Sequence, residues 1–157
     1  WYDLSAGLLD EAKQQYSAYN FMQGNMVDLE ESLWNGYDIL FFIASFHHLK
    51  TLDERKTVLL QAYNMLKPGG RVYMTHWALE SELNQKKYAS NRVEWSEDSF
   101  WSSNYQIKIG EHQRYYHCFS LSELEYIFQI NWFEMIENRE FKNKKNIISI
   151  IQKPKNS

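Results

Sequence analysis

Two stretches of the chain hold the residues best suited to chemistry. Ala44-Ser45-Phe46-His47-His48-Leu49 closes an apolar run, and Arg114-Tyr115-Tyr116-His117-Cys118-Phe119 sets a cation, two phenols, an imidazole and a thiol side by side. An arginine fork matches two oxygens of a carboxylate at once, and tyrosine and histidine add hydrogen bonds or an aromatic face. The His47-His48 pair raises a metal reading. Adjacent side chains on extended chain point opposite ways, and no third ligand lies at metal spacing, so the pair reads as loop histidines, with His48 lining a site. Cys118 has only His117 beside it to suggest a nucleophile and reads as a buried small thiol. Trp77, Trp95 and Trp101 can form a base-stacking platform or a hydrophobic underside, and the second is expected for at least two of them.

The elements that must position these groups alternate between strand and helix. Ser5 caps a helix whose face reads Leu8, Leu9, Ala12 and Tyr16, expected to run to Tyr19. Phe21 to Gln23 is a short strand, 29–36 is turn-like, and Tyr37 to Ile43 is an apolar strand suited to a central parallel position. Thr51-Leu52-Asp53-Glu54 is a capping box, and Val58, Leu59, Ala62, Tyr63 and Leu66 continue on one face until Lys67-Pro68-Gly69-Gly70 stops the helix. Arg71 to Trp77 is the next strand. Ser120-Leu121-Ser122-Glu123 reads as a second capping box opening a helix to Gln129, and Trp132 to Phe141 and Asn146 to Gln152 read as an antiparallel edge hairpin turning at 142–145. The pattern predicts one α/β domain over residues 1–157 with a mostly parallel sheet. Residues 78–119 have little period and read as a cap inserted after a sheet strand.

Composition bounds the partners. The 157 residues carry 44% apolar and 24% charged side chains with a net charge of −3, which excludes wholesale disorder and a general polyanion binder. Residues 1–80 hold 10 acids and 6 bases, whereas residues 81–157 hold 10 acids and 11 bases. Any nucleic-acid contact therefore belongs to the C-terminal part, where Lys142, Lys144 and Lys145 can meet phosphate or simply stay solvated. One cysteine excludes a disulfide framework and fits a reducing cytoplasm, and the longest apolar run, Ile39 to Phe46, is too short for a membrane span. Six glycines are few for a nucleotide-binding fold, which places several in one loop.

Asp3-Leu4-Ser5, Gly24-Asn25, Tyr37-Asp38, the segment from Ala44 to Leu49 and Leu66-Lys67-Pro68-Gly69-Gly70 resemble, in order and spacing, class I S-adenosylmethionine-dependent methyltransferases with their Rossmann-like fold. The resemblance implies S-adenosylmethionine as cofactor and contacts to it from Asp3, Leu4, Asn25, Met26, Ala44 and Ser45. Asp3 at a strand tip can accept both ribose hydroxyls. Asn25 stands where that family usually has Asp and can still accept the adenine amino group, with Met26 against the adenine face. The chain starts at Trp1, and the family's first strand, Gly-rich loop and following helix are expected upstream of it, so these residues alone are expected to bind cofactor weakly or not at all.

Thr75-His76-Trp77-Ala78-Leu79-Glu80, Arg114-Tyr115-Tyr116-His117-Cys118-Phe119 and Ser122-Glu123-Leu124 further resemble the tRNA wobble-uridine carboxymethyl methyltransferases. That resemblance implies methyl esterification of a 5-carboxymethyl group, with tRNA as partner and, in some members, a small zinc-binding activator protein. A carboxylate is already ionised and nucleophilic near neutral pH, so the work is positioning and exclusion of water. Arg114 is expected to hold the carboxylate, and Tyr115, His117 and His48 to complete the catalytic site. Two other readings stay open: a small-molecule methyltransferase of the same fold, and a non-catalytic interaction module.

Overall fold

A computed structural model describes residues 1–29, 36–93, 102–142 and 144–156. Strand β1 (Tyr2–Asp3) is followed by α1 (Ala6–Gln15), whose N-cap Ser5 accepts the Leu8 N–H, and by β2 (Met22–Gln23), parallel to β1. The helix ends four residues earlier than its apolar face suggests. Only Leu9 of that face is buried; Leu8 and Tyr16 stand exposed, because a two-stranded ribbon offers little to cover.

The larger sheet runs β3 (Tyr37–Ile43), β4 (Leu66–Trp77), β9 (Asn146–Gln152), β8 (Glu134–Glu140). Only the β3–β4 pair is parallel, and β9 inserts antiparallel between β4 and the edge strand β8. The expectation of a mostly parallel sheet is corrected to a mixed one. The short β8–β9 connection forces antiparallel pairing, and no described strand joins β1 to β3. Ile39, Phe41 and Ile43 accordingly stay about half exposed on the uncovered face of β3.

Helix α2 (Leu52–Met65) opens with the full capping box of Thr51 and Glu54 and packs Val58, Leu59 and Ala62 on the sheet. These side chains form the main core with Phe46, Val72, Met74, Phe119, Ile147 and Ile151, joined by Leu124, Ile127 and Phe128 of α4 (Leu121–Ile130). At the end of α2, the buried Lys153 ammonium donates to the Tyr63 and Leu66 carbonyls (both 2.9 Å) and lies 4.5 Å over the Tyr63 ring. The described part of residues 78–119, the segment that the sequence reads as a cap, holds regular elements that periodicity did not reveal. These are α3 (Glu82–Tyr88) and an antiparallel sheet of β5 (Arg92–Val93), β6 (Ser103–Ile109) and β7 (His112–Cys118). The cap carries its own small core of Leu79, Tyr105, Ile107, Tyr116 and Cys118.

Candidate functional site

At the carboxyl end of β3 the chain leaves the sheet through Ala44, whose φ of 50° lies in the left-handed region. For alanine that conformation costs about 1–2 kcal/mol, and two hydrogen bonds from its N–H to Thr75 O (3.1 Å) and Oγ1 (3.0 Å) hold it. The exit directs Ser45 into a 3-10 turn at Phe46–His48. With β3 gone, the Trp77 N–H finds its acceptor in His47 Nδ1 (3.2 Å), so His47 carries its proton on Nε2. Burial, reinforced by His48, His76 and His117 nearby, lowers the His47 pKa to about 2.

His48 is held the other way round. Its Nδ1–H donates to the Tyr115 carbonyl at 2.8 Å. Burial lowers its pKa, the carbonyl bond partly restores it and the Arg114 charge lowers it further. The ring is therefore neutral at pH 7, with the Nε2 lone pair available, and no described residue bonds that atom. The two rings touch, with centroids 4.6 Å apart, so the expectation that they point to opposite sides is corrected: the turn brings them together where extended chain would not. Among the described residues no three His, Cys, Asp or Glu side chains converge to hold a metal.

Tyr115 and His117 turn inward. The Tyr115 hydroxyl donates to Asn104 Oδ1 at 2.6 Å, and His117 bonds the same oxygen through Nδ1 (2.8 Å) and Glu123 Oε1 through Nε2 (2.7 Å). Glu123 also accepts the Ser102 hydroxyl and lies 3.6 Å from Arg55, with both charged side chains fully buried. Tyr115 and His117, expected to contact substrate, are both buried and bonded within the protein. The second capping box is corrected too. Ser120 Oγ accepts the Glu123 N–H (3.1 Å), but the Glu123 carboxylate turns into the core, where Arg55 offers a charged partner and His117 Nε2 a close hydrogen-bonding one.

Other marked residues also build the cap. Tyr105 donates to Glu80 at 2.8 Å. Burial works to raise the Glu80 pKa, but hydrogen bonds from Ser103 and Tyr105 and the Arg92 charge outweigh it and hold the carboxyl below its usual range. Trp77 stacks on buried Tyr116 (4.8 Å, 15°) and lies against Tyr88, which makes it packing; Trp95 and Trp101 lie outside the described residues. Burial pushes the Cys118 thiol up to about 11, which removes it as a nucleophile. Arg114 alone of its segment is exposed, beside His48 and Tyr116 closely enough to act on both.

The proposed cofactor positions sit at the strand ends. Asp3 ends β1 with an exposed carboxylate, and one of its oxygens accepts the Ser5 N–H at 2.7 Å. Leu4 is exposed, and its carbonyl accepts the Gln23 amide. Gly24 follows β2 where a Cβ would fall 1.9 Å from the Tyr2 hydroxyl, so any larger residue would have to displace the Tyr2 ring. Asn25 is exposed, with its side-chain oxygen on the Val27 N–H (3.2 Å), whereas Met26 packs half-buried against the main core. These groups fit a nucleoside: a free carboxylate oxygen and an amide, both accessible, at the ends of two adjacent parallel strands. A cavity of about 700 Å³ between the cap and the start of α4 is lined by Glu80, Arg92 and Ser120 among others and shares no residue with this group. Among the described residues no helix is long and apolar enough to cross a membrane.

Comparison with known proteins agrees with this fold. Residues 1–72 match the family model described as a methyltransferase domain. A crystal structure of an S-adenosylmethionine-dependent methyltransferase from Methanosarcina mazei superposes with a TM-score of 0.76 at 17% identity, covering 98% of this chain and 80% of that one. The 1,6-didemethyltoxoflavin-N1-methyltransferase of Burkholderia thailandensis, solved with S-adenosylhomocysteine, gives 0.66 at 16% identity, covering 98% of this chain and 60% of that one. A segment of 50 residues, 32% of this chain, is 36% identical to the tRNA (carboxymethyluridine(34)-5-O)-methyltransferase ALKBH8 of Macaca fascicularis and spans 8% of that protein's length. The chain has the Rossmann-like α/β fold of the S-adenosylmethionine-dependent methyltransferases.

Proposed function

We propose that this fold works as an S-adenosylmethionine-dependent methyltransferase acting on the carboxylate of a 5-carboxymethyluridine at the tRNA wobble position. The observation that carries the first half is the placement of Asp3, Asn25 and Ala44–Ser45 at the carboxyl ends of β1, β2 and β3, where α/β sheets bind ligands. Asp3 would take the ribose hydroxyls and Asn25 the adenine edge. When bound, the cofactor supplies an electrophilic methyl group.

The residues of the cap then have separate tasks. Arg114 would clamp the substrate carboxylate through its planar fork, leaving one oxygen lone pair free to react. The Glu80–Tyr105 pair braces the cap internally, the Glu123–His117–Asn104–Tyr115 chain ties it to α4, and the bond from His48 to the Tyr115 carbonyl would fix Arg114 relative to the turn that carries His48. No proton has to leave a carboxylate nucleophile, so orientation and exclusion of water supply the rate. The short similarity to a carboxymethyluridine methyltransferase favours this substrate. The exposed Lys142 and Lys144 of the β8–β9 turn, which the Lys145 carbonyl ties to Ala78 and Asn84 of the cap, offer phosphate contacts next to it.

Calorimetry of S-adenosylhomocysteine with the full-length protein tests the cofactor half. Asp3→Ala should weaken binding about 10- to 100-fold, the loss of charge-assisted hydrogen bonds. Unchanged binding would remove Asp3 from the site. Affinity for tRNA should fall steeply with salt if phosphates are contacted, and a flat response would favour a small-molecule acceptor.

A further inference from the structure

Among the described residues, His48 presents an unbonded ring nitrogen whose orientation the fold fixes through the other. Its ring lies in the turn directly after β3, in edge contact with His47 and Tyr116, both 4.6 Å away between centroids. The Tyr115 carbonyl that holds Nδ1–H is itself fixed, since the hydroxyl of the same residue is anchored on Asn104 and reaches the Lys50 carbonyl. A carbonyl can only accept, so Nδ1 is the protonated nitrogen and Nε2 presents a lone pair. Arg114, the neighbour of Tyr115 in β7, places a cation beside this acceptor.

We propose that His48 Nε2 reads the N3–H of the substrate uracil, so that the pair of His48 and Arg114 selects an anionic ring substituent on a base that donates from N3. This inference rests on the proposed carboxymethyluridine reading and names how that site recognises its base. Uracil has one ring donor on its pairing edge, N3–H, and a fixed acceptor opposite it makes a good hydrogen bond. Cytosine presents an N3 lone pair at the same place, which would face the Nε2 lone pair and be rejected. Methylation of uracil N3 removes the donor and adds bulk, with the same consequence. His48 takes no proton from the nucleophile here, because a carboxylate has none to give; it is a specificity residue that touches the base.

The test uses the full-length protein and three anticodon stem-loops, carrying 5-carboxymethyluridine, its N3-methyl derivative, or 5-carboxymethylcytidine at the wobble position. Wild-type protein should prefer the first over the other two by about 10-fold or more in kcat/KM, the range expected when a polar contact is lost or opposed. His48→Phe should raise KM for the first substrate with kcat largely kept, and bring the three substrates within about 3-fold of one another. His48→Gln, whose amide oxygen can reach the Nε2 position, should recover part of the preference; its unfolding midpoint serves as the check that the turn is intact. If His48→Phe discriminates as wild type does, or if His48→Gln recovers none of the preference, the assignment of His48 is overturned while the methyltransferase reading stands. If wild-type protein turns over none of the three stem-loops, the carboxymethyluridine reading falls and this inference falls with it.

Discussion

Acid should unfold this protein through two buried imidazoles, and replacing one with phenylalanine should remove part of the effect. His76 lies one residue from the carboxyl end of β4, fully buried between Phe46 and Phe119, and among the described residues neither ring nitrogen has a hydrogen-bond partner. Burial, with His117 adding to it, lowers its pKa to about 3, and the buried His47 stands at about 2. Above the ordinary histidine value of about 6.5 both rings are neutral in the folded and unfolded chains, and folding is indifferent to pH through them. Below that value the unfolded chain takes up protons that the folded one refuses. Stability is lost progressively as pH falls, down to the folded pKa values near 3 and 2. At pH 5 each ring has lost about 2 kcal/mol, and the two together about 4 kcal/mol, against a total of roughly 5–15 kcal/mol for a domain. Carboxylates with ordinary values near 4 titrate little in this window. Urea unfolding between pH 8 and pH 5 reads the effect directly. Wild-type stability should fall by at least about 4 kcal/mol, with His48 adding to the loss, and that of His76→Phe by about 2 kcal/mol less than wild type. At pH 7 the variant should be no less stable, because it removes two unpartnered nitrogens and keeps the aromatic contacts. Parallel pH dependences for the two proteins would show that His76 accepts a proton in the folded state and would refute the reasoning.

Other perturbations address separate parts of the structure. Glu123→Gln leaves the buried Arg55 charge without its counter-charge and should cost about 3–5 kcal/mol, measured by chemical unfolding. Lys153→Met strips two carbonyls at the end of α2 of their donor and should lower stability by about 1–3 kcal/mol, visible as a lower thermal midpoint. Ala44→Gly relieves the left-handed strain at the end of β3 and should raise stability by about 1 kcal/mol in the same assay. Arg114→Ala should leave the unfolding midpoint near wild type, since the side chain is exposed, while kcat/KM on the carboxymethylated stem-loop drops at least 10-fold.

The main framework was readable in the amino-acid order because its signals are local. The apolar run of β3, the Thr51–Glu54 box and the β9 run each specify their own element, and the structure has β3 and β9 at the expected bounds. The strands and helix inside the cap were not readable. In β6 and β7 aromatic, amide and charged residues interleave, which hides the alternation, and the turn signal of Gly110 (φ 62°) between them stands alone. The network that seats the cap was half legible. Arg55 falls on the same face of α2 as Val58, Leu59 and Ala62, so a charge on a buried face was there to be noticed. Glu123, by contrast, occupies a position that a capping box explains equally well, and only its buried partners decide the matter. Asn104 carries no sequence signal, yet it joins Tyr115 to His117. The marked Arg-Tyr-Tyr-His segment therefore divides by strand geometry: Arg114 faces out, and Tyr115 and His117 are buried in the network.

The most direct measurement is transfer of a radiolabelled methyl group from S-adenosylmethionine to an anticodon stem-loop bearing 5-carboxymethyluridine, followed by mild alkali. A methyl ester is cleaved under those conditions and releases its label as methanol. The account predicts label in the RNA that alkali removes, and none on a stem-loop with unmodified uridine. Label that survives alkali, or an absence of transfer by the full-length protein, would contradict it.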